Sequence, residues 1–234
     1  MKTIHIMLWV ILGYYIALHA IYLLLVLLGA TQVRRYHRGI SFDEFRRIGE
    51  SRLTMPVSLI IPCYNESRII VGTIRNVLQL NYPQYEIIVV SDGSSDGTIP
   101  LLGETFNLRR IDRHGRRRIS SREITGIYES PDYPNLVLVE KINGRRADAI
   151  NAAVSLSSYP LLCIIDADCV LDPDALIHLA RPFISDTGVG AVAGIVRPSN
   201  GLIVVDGIIS EQNLPKTLLL WVLHLIQMDK FLLP

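Results

Sequence analysis

Leu161-Leu162-Cys163-Ile164-Ile165-Asp166-Ala167-Asp168 is an apolar run that ends abruptly in two carboxylates. A run so short and so apolar reads as a buried parallel strand. In extended chain, residues two apart point to the same side. Asp166 and Asp168 are therefore expected to leave the C-terminal edge of a sheet side by side. That edge is where open α/β sheets bind ligands. Paired carboxylates repel each other unless a cation or a positively charged substrate sits between them. A hard divalent ion with oxygen ligands, shared with a diphosphate, fits best. The alternative is a helix N-cap pair, because Asp172-Pro173-Asp174 starts a helix just downstream.

The sequence upstream supplies partners for that strand. Val57 to Ile61 reads as a strand stopped by Pro62, and Glu66 to Leu80 as a helix with Ile70, Ile74, Val77 and Leu78 on one face. Glu86 to Val90 is a second buried strand. Ser91-Asp92-Gly93-Ser94-Ser95-Asp96-Gly97 is a polar turn into another helix, whose Pro100 is tolerable only near its start. Leu136 to Val139 is a third strand, and Arg145 to Leu156 a helix with Ala147, Ile150 and Val154 on one face. After the aspartates come a helix from Pro173 to about Phe183 and two further strands, Val189 to Val196 and Leu202 to Ile209, joined through Pro198-Ser199-Asn200-Gly201. Strand-helix alternation at this spacing means a doubly wound, mostly parallel α/β sheet.

Hydrophobic residues make up half of the 234-residue chain, and they are unevenly spread. Ile6 to Gly29 contains no Asp, Glu, Lys or Arg. At about 1.5 Å per residue it is long enough to cross a hydrocarbon core of roughly 30 Å, and it is too long for a signal-peptide core. Residues 6–29 are read as one transmembrane helix. Arg34, Arg35, Arg38, Arg46, Arg47 and Arg52 follow it, while only Lys2 and the amino terminus precede it. The positive-inside rule then puts the globular part in the cytoplasm. Residues 30–55 form a basic connector, in which Ser41 to Arg47 is either an amphipathic helix on the headgroups or a solvated linker.

Cys63, Cys163 and Cys169 match no zinc spacing, a cytoplasmic setting argues against a disulfide, and Cys163 is expected in the core. There is no heptad pattern and no internal repeat. Arg109, Arg110, Arg113, Arg116, Arg117, Arg118 and Arg122 face only Asp112 and Glu123. That stretch is either a solvated, mobile insertion or a contact for anionic lipid or polymer. It lacks interleaved aromatics for stacking, which argues against nucleic acid as a partner.

The candidate site gathers Pro62-Cys63-Tyr64-Asn65-Glu66, Ser91-Asp92-Gly93-Ser94, Asp166-Ala167-Asp168, and the basic helix entry from Lys141 to Asn151. Backbone N–H groups at a helix start, together with Arg, suit an anion. The sum is a site for a nucleotide diphosphate. Asp92 accepts from a base or ribose, Tyr64 packs on the base, a metal holds the diphosphate, and Arg146 offsets its charge. Each residue also has a plainer reading: Tyr64 as a surface aromatic, Asp92 and Asn143-Gly144 as turn residues, Arg146 as a solvated charge.

With these motifs in place, the chain resembles the family 2 glycosyltransferases with a GT-A fold, of the membrane-anchored kind that includes polysaccharide synthases. Ser58 to Glu66, Ile88 to Thr98, Asn143 to Asn151 and the aspartate pair carry the resemblance, over roughly residues 56 to 200. It implies a Rossmann-like, mostly parallel sheet and a nucleotide-sugar donor, usually a UDP-sugar. Pro62, Tyr64 and Glu66 would shape the nucleotide pocket, Asp92 would contact the base, and Arg146 would approach the diphosphate. Asp166 would face the ribose and donor sugar, and with Asp168 it would hold Mn2+ or Mg2+. The metal would act as a Lewis acid on the leaving diphosphate, and a carboxylate base would activate a hydroxyl of a saccharide or lipid acceptor.

The chain departs from the family in three places. Ser91 replaces a common Asp. Arg145 replaces the second Gly of an Asn-Gly-Gly-Lys stretch, at a turn where a bulky side chain is unusual. The acidic base and the Gln-x-x-Arg-Trp-type acceptor motif are expected beyond Pro234. Residues 56–213 are thus expected to be the nucleotide-sugar-binding domain, and 214–234 an apolar interfacial tail that is truncated. The competing functions are a membrane-tethered donor-binding protein without turnover, and a haloacid dehalogenase-type phosphatase using Asp166 as nucleophile. The phosphatase fold, however, carries that motif on its opening strand.

Overall fold

The computed structural model describes residues 2–38, 54–112, 119–194, 202–205 and 208–212. The chain divides into two compact units, one holding the N-terminal helix and the other the α/β body.

Helix α1 runs Lys2–Arg38. Within it, Ile4–Leu28 has a mean hydropathy of 2.3 and is long and apolar enough to cross a membrane. The helix does not end at Gly29 as its composition suggested. Gly29 does not interrupt the backbone hydrogen bonding, and the helix continues through polar residues to Arg38. His19 satisfies its ring by a 2.7 Å hydrogen bond with the Tyr15 carbonyl one turn back. The proposed amphipathic segment 41–47 lies outside the described residues.

The body is built on a six-stranded sheet in the order β3-β4-β5-β2-β1-β6. Strands β1 (Val57–Cys63), β2 (Tyr85–Asp92), β5 (Leu136–Lys141) and β6 (Leu161–Ile164) form its parallel part. Strands β3 (Arg109–Ile111) and β4 (Ile124–Glu129) extend it antiparallel beyond β5. Sequence had assigned neither. The first is three residues long and carries two arginines, which suits an exposed edge. The second is interrupted by Gly126, at a register shift.

β1, β2 and β5 are apolar on both faces because both faces are covered. On one face Ile60, Ile88, Val90, Val137 and Val139 pack with Ala149, Ala153, Val154 and Leu156. Those last four lie on helix α4 (Arg146–Leu156), whose small alanines let it approach the strands closely. The alternate strand residues Leu59, Ile61, Ile87, Val89 and Leu138 are buried too. Helix α2 (Ile70–Val77) buries Ile70, Ile74 and Val77 as the periodicity required. It starts four residues later than expected, because residues 67–69 form a turn closed by Ile69 and Ile70 N–H groups donating to the Glu66 carbonyl. Burying one such isoleucine contributes about 1.5–3 kcal/mol.

Pro62 does not stop β1; it sits inside the strand opposite Val90. The Ile60 carbonyl accepts from the Ile165 N–H on the β6 side. Residue 62, two along, faces that same flank, where β6 has already ended at Ile164. No ladder donor is lost there, so proline is tolerated.

Helix α3 spans Thr98–Thr105 and α5 spans Ala175–Ser185, two residues later than the Pro173 start expected. Residues 189–194 are not a strand, and residues 195–200 lie outside the described set. In place of one strand from Leu202 to Ile209 there is a hairpin of β7 (Leu202–Val205) and β8 (Ile208–Gln212). The proposed tail 214–234 and the residues Arg113 to Arg118 also lie outside the described residues.

Candidate functional site

Because β5, β2, β1 and β6 are parallel, the residues after Lys141, Asp92, Cys63 and Ile164 all emerge at one edge of the sheet. The chain runs outward from β1 to β2, then returns to β1's other flank with β6. That reversal is where open α/β sheets form a ligand crevice.

The loops after β1 and β2 are stitched together by polar side chains. Asn65 adopts a left-handed conformation at φ 56°, which asparagine tolerates. Its amide oxygen accepts from the Ser95 N–H at 2.8 Å, and its N–H donates to the Ser94 hydroxyl. The Ser67 N–H donates to Asp96 at 2.9 Å. The Thr98 hydroxyl and the Ser67 N–H together hold the Asp96 carboxyl well below its usual range. Burial, with Glu66 and other acids nearby, pushes the Cys63 thiol up to about 12. It is no thiolate nucleophile at neutral pH. Tyr64 is 53% exposed at the rim, and Pro62 and Glu66 are half-buried beside it.

The loops after β2 and β5 meet more closely. Gly93 sits at φ +74°, and a Cβ there would lie 2.9 Å from Asn143. Only glycine satisfies both conditions. The Asn143 amide donates to the Asp92 carbonyl at 2.8 Å. Strand register sets Lys141 directly beside Asp92. The Lys141 side chain is fully buried, and its ammonium contacts Asp92 Oδ1 and Asp148 Oδ2, each at 2.6 Å. Its third proton goes to the Ile142 carbonyl at 2.6 Å. The Gly144 N–H also donates to Asp92 Oδ1, at 2.9 Å. Any Cβ on Gly144 would collide with the Asp148 carboxylate, so this glycine too is required. The Lys141 hydrogen bond holds the Asp148 carboxyl below its usual range.

Asp92, expected to accept from a base or ribose, is a buried carboxylate with one oxygen engaged by Lys141 and Gly144. Sequence reasoning gave Lys141 and Asp148 no role. The available signal was a lysine ending a strand that opens with four apolar residues, aligned with the aspartate that ends the neighbouring strand.

Arg122 is not part of a freely solvated insertion. Its guanidinium donates to the Asn143 carbonyl at 2.6 Å and its N–H to Asp148. Arg110 likewise donates to the Thr125 carbonyl.

The third junction joins α4 to the turn after β6. Arg146 pairs with Asp166 at 2.6 Å, with both side chains more than half exposed. Arg145, just before, has φ 74° and ψ 170°. That region is essentially reserved for glycine and costs about 1–3 kcal/mol for other residues. A glycine, which the resemblance led us to expect at this position, would adopt this conformation without strain. β6 itself is an edge strand, not a buried one: Leu162 and Ile164 are 38% and 45% exposed. Cys163 is partly buried, and burial pushes its thiol up to about 11. The strand stops at Ile164, so Asp166 and Asp168 stand on a turn closed by the Cys169 N–H and the Asp166 carbonyl. The two acids are exposed, with buried Ala167 between them. Helix α5 starts at Ala175, too far away for either to be its cap.

Helix α2 fastens this turn. The buried Thr73 hydroxyl donates to the Ala167 carbonyl at 2.6 Å, and Asn76 exchanges two hydrogen bonds with Leu171. Among the described residues, no group of three or more His, Cys, Asp or Glu could by itself hold a metal ion. Two exposed carboxylates do suit a hard cation that takes its other ligands from substrate phosphates and water.

A mostly parallel α/β sheet thus brings a buried acid, an arginine and two exposed aspartates to its switch-point edge. The family model "Glycosyl transferase family 2" matches residues 58–205, and the chain belongs to that family. It is 31% identical over 170 residues to a poly-beta-1,6-N-acetyl-D-glucosamine synthase of Staphylococcus epidermidis, a match covering 70% of this chain and 35% of that protein. The synthase of the same name from Staphylococcus aureus strain COL is 33% identical over 144 residues, 62% of this chain and 29% of that one. The chain thus spans about a third of the length of the curated relatives it matches. Among solved structures, the mannosyltransferase PcManGT from Pyrobaculum calidifontis, in complex with GDP-Man and Mn2+, superposes with a TM-score of 0.47 at 23% identity, over 74% of this chain and 46% of that one. S. aureus TarS 1-349 in complex with UDP-GlcNAc gives 0.41 at 19% identity, over 60% and 38% of the two chains.

Proposed function

We propose that this chain is the donor-binding part of an inverting glycosyltransferase that takes a sugar from a UDP-sugar and passes it to a saccharide or lipid acceptor, in cell-surface polysaccharide synthesis. The observation that carries this is the Arg146–Asp166 pair, which brings the basic helix entry after β5 and the acidic turn after β6 into contact at the sheet edge. The relatives' name, a synthase of an N-acetylglucosamine polymer, supports N-acetylglucosamine as the transferred sugar. The apolar helix α1 supports work at a membrane, with the α/β body on the arginine-rich, cytoplasmic side.

In this reading Tyr64, Pro62 and Glu66 line the nucleotide pocket, and Asp92 receives the base. Arg146 gives up Asp166 to face the diphosphate, and Asp166 turns to the ribose and sugar. Asp166 and Asp168 would hold Mn2+ or Mg2+, which supplies Lewis-acid stabilisation of the leaving diphosphate. Asp168→Asn tests the assignment. Calorimetry should show that the metal-dependent part of UDP binding disappears, and unchanged metal-dependent affinity would rule the role out.

A further inference from the structure

Among the described residues of the body Lys141 is the largest fully buried side chain, and it is the only lysine in strands β1, β2 and β5. Its ammonium has three protons, and all three are engaged: by Asp92, by Asp148 and by the Ile142 carbonyl. It has none left for a ligand. Asp92 is in the opposite condition. Its Oδ1 accepts twice, from Lys141 and from the Gly144 N–H. Its Oδ2 accepts nothing from the described residues, although the side chain is only 5% exposed. A buried acceptor without a donor costs about 1–3 kcal/mol. A donor outside the described residues is expected to supply the missing hydrogen bond.

We propose that Lys141 is a positioning residue for base selection: it fixes Asp92 by one oxygen so that the other is presented, in one direction, to an imide N–H of the donor's base. This rests on the reading of Asp92 as the base contact and adds the device that orients it. Held against an ammonium, the carboxylate is an acceptor only. It matches the N3–H of uracil and opposes the lone pair at N3 of cytosine. Asp148 completes the device. It anchors Lys141 from helix α4, and it closes over Gly144, whose N–H is the second clamp on Asp92. The same three residues therefore set Asp92's direction and the start of the helix that carries Arg146.

The test compares UDP, CDP and N3-methyl-UDP by calorimetry on the full chain in detergent with Mn2+. Native protein should prefer UDP over CDP by about 10–100-fold, the discrimination expected of one well-made base contact, and should reject N3-methyl-UDP. The variant is Lys141→Met with Asp148→Asn, which keeps the cluster at the single negative charge it has natively and keeps an acceptor for the Arg122 N–H. It should bind CDP within about threefold of native and lose its preference for UDP, whereas a merely structural defect weakens both nucleotides alike. Lys141→Gln with Asp148→Asn is the second variant, expected to cut the preference several-fold. An unchanged UDP-to-CDP ratio in either folded variant overturns the proposal. Failure of both to fold also overturns it, by assigning Lys141 to the fold. Native protein that binds N3-methyl-UDP as tightly as UDP would instead defeat the reading of Asp92 as base contact.

Discussion

The two halves of the site are built differently. Around Asp92 the charged side chains are buried and held: a lysine with no spare proton, two glycines that admit no side chain, and loops stitched at the surface by Asn65, Ser94 and Ser95. Around Asp166 and Asp168 the charged side chains are exposed, on an edge strand's turn and in a surface ion pair. The buried half is shaped before a ligand arrives. The exposed half has carboxylates whose present partner, Arg146, is one a diphosphate and cation would take over. Under the proposed function, rigid recognition of a base and rearrangement around a leaving diphosphate call for that division.

Substitutions can break this contrast, and the largest effect should fall in the fixed half. Gly93→Ala forces an L residue into φ +74° and into Asn143. It should cost about 3 kcal/mol in urea unfolding of the α/β body; a loss below about 1 kcal/mol would show that the junction yields. Thr73→Val tests whether the exposed half is anchored from beneath. Removing the hydroxyl leaves the buried Ala167 carbonyl without its donor, at a cost of about 1–2 kcal/mol. Metal-dependent UDP binding should weaken with it, which separates a fastened turn from a loose one. Arg145→Gly has the opposite sign. Relief at φ 74°, ψ 170° should stabilise by about 1 kcal/mol after the entropy cost of glycine, read as a raised melting temperature. The smallest change is expected for Arg146→Gln. An exposed pair contributes about 0–1 kcal/mol, so stability should hardly move while UDP affinity falls. A large loss of stability would make that pair structural and erase the distinction between the halves.

Much of this was legible in sequence for local reasons. Continuous apolar runs marked β1, β2 and β5, because a strand covered on both faces has no other pattern. The turn Ser91 to Gly97 and the glycine missing at Arg145 are local signals, and both resolved into backbone geometry. What escaped was non-local. Nothing within Leu136 to Lys141 says that the terminal lysine lies against Asp92, because only strand register brings them together. β6 has the composition of a buried strand yet lies at an edge, since composition does not encode sheet order. Pro62 looked like a terminator because its missing N–H matters only if a neighbour stands on that flank. The arginine run hid β3, whose arginines belong on a rim.

That rim has a consequence for how copies of this chain meet. Strand β3 offers open backbone groups to any passing strand, but Arg109 and Arg110 both stand exposed along it. A second copy aligning the same rim would bring like charges face to face, a repulsion that added electrolyte shields. Self-association through this border should accordingly be suppressed in dilute buffer and rise with ionic strength.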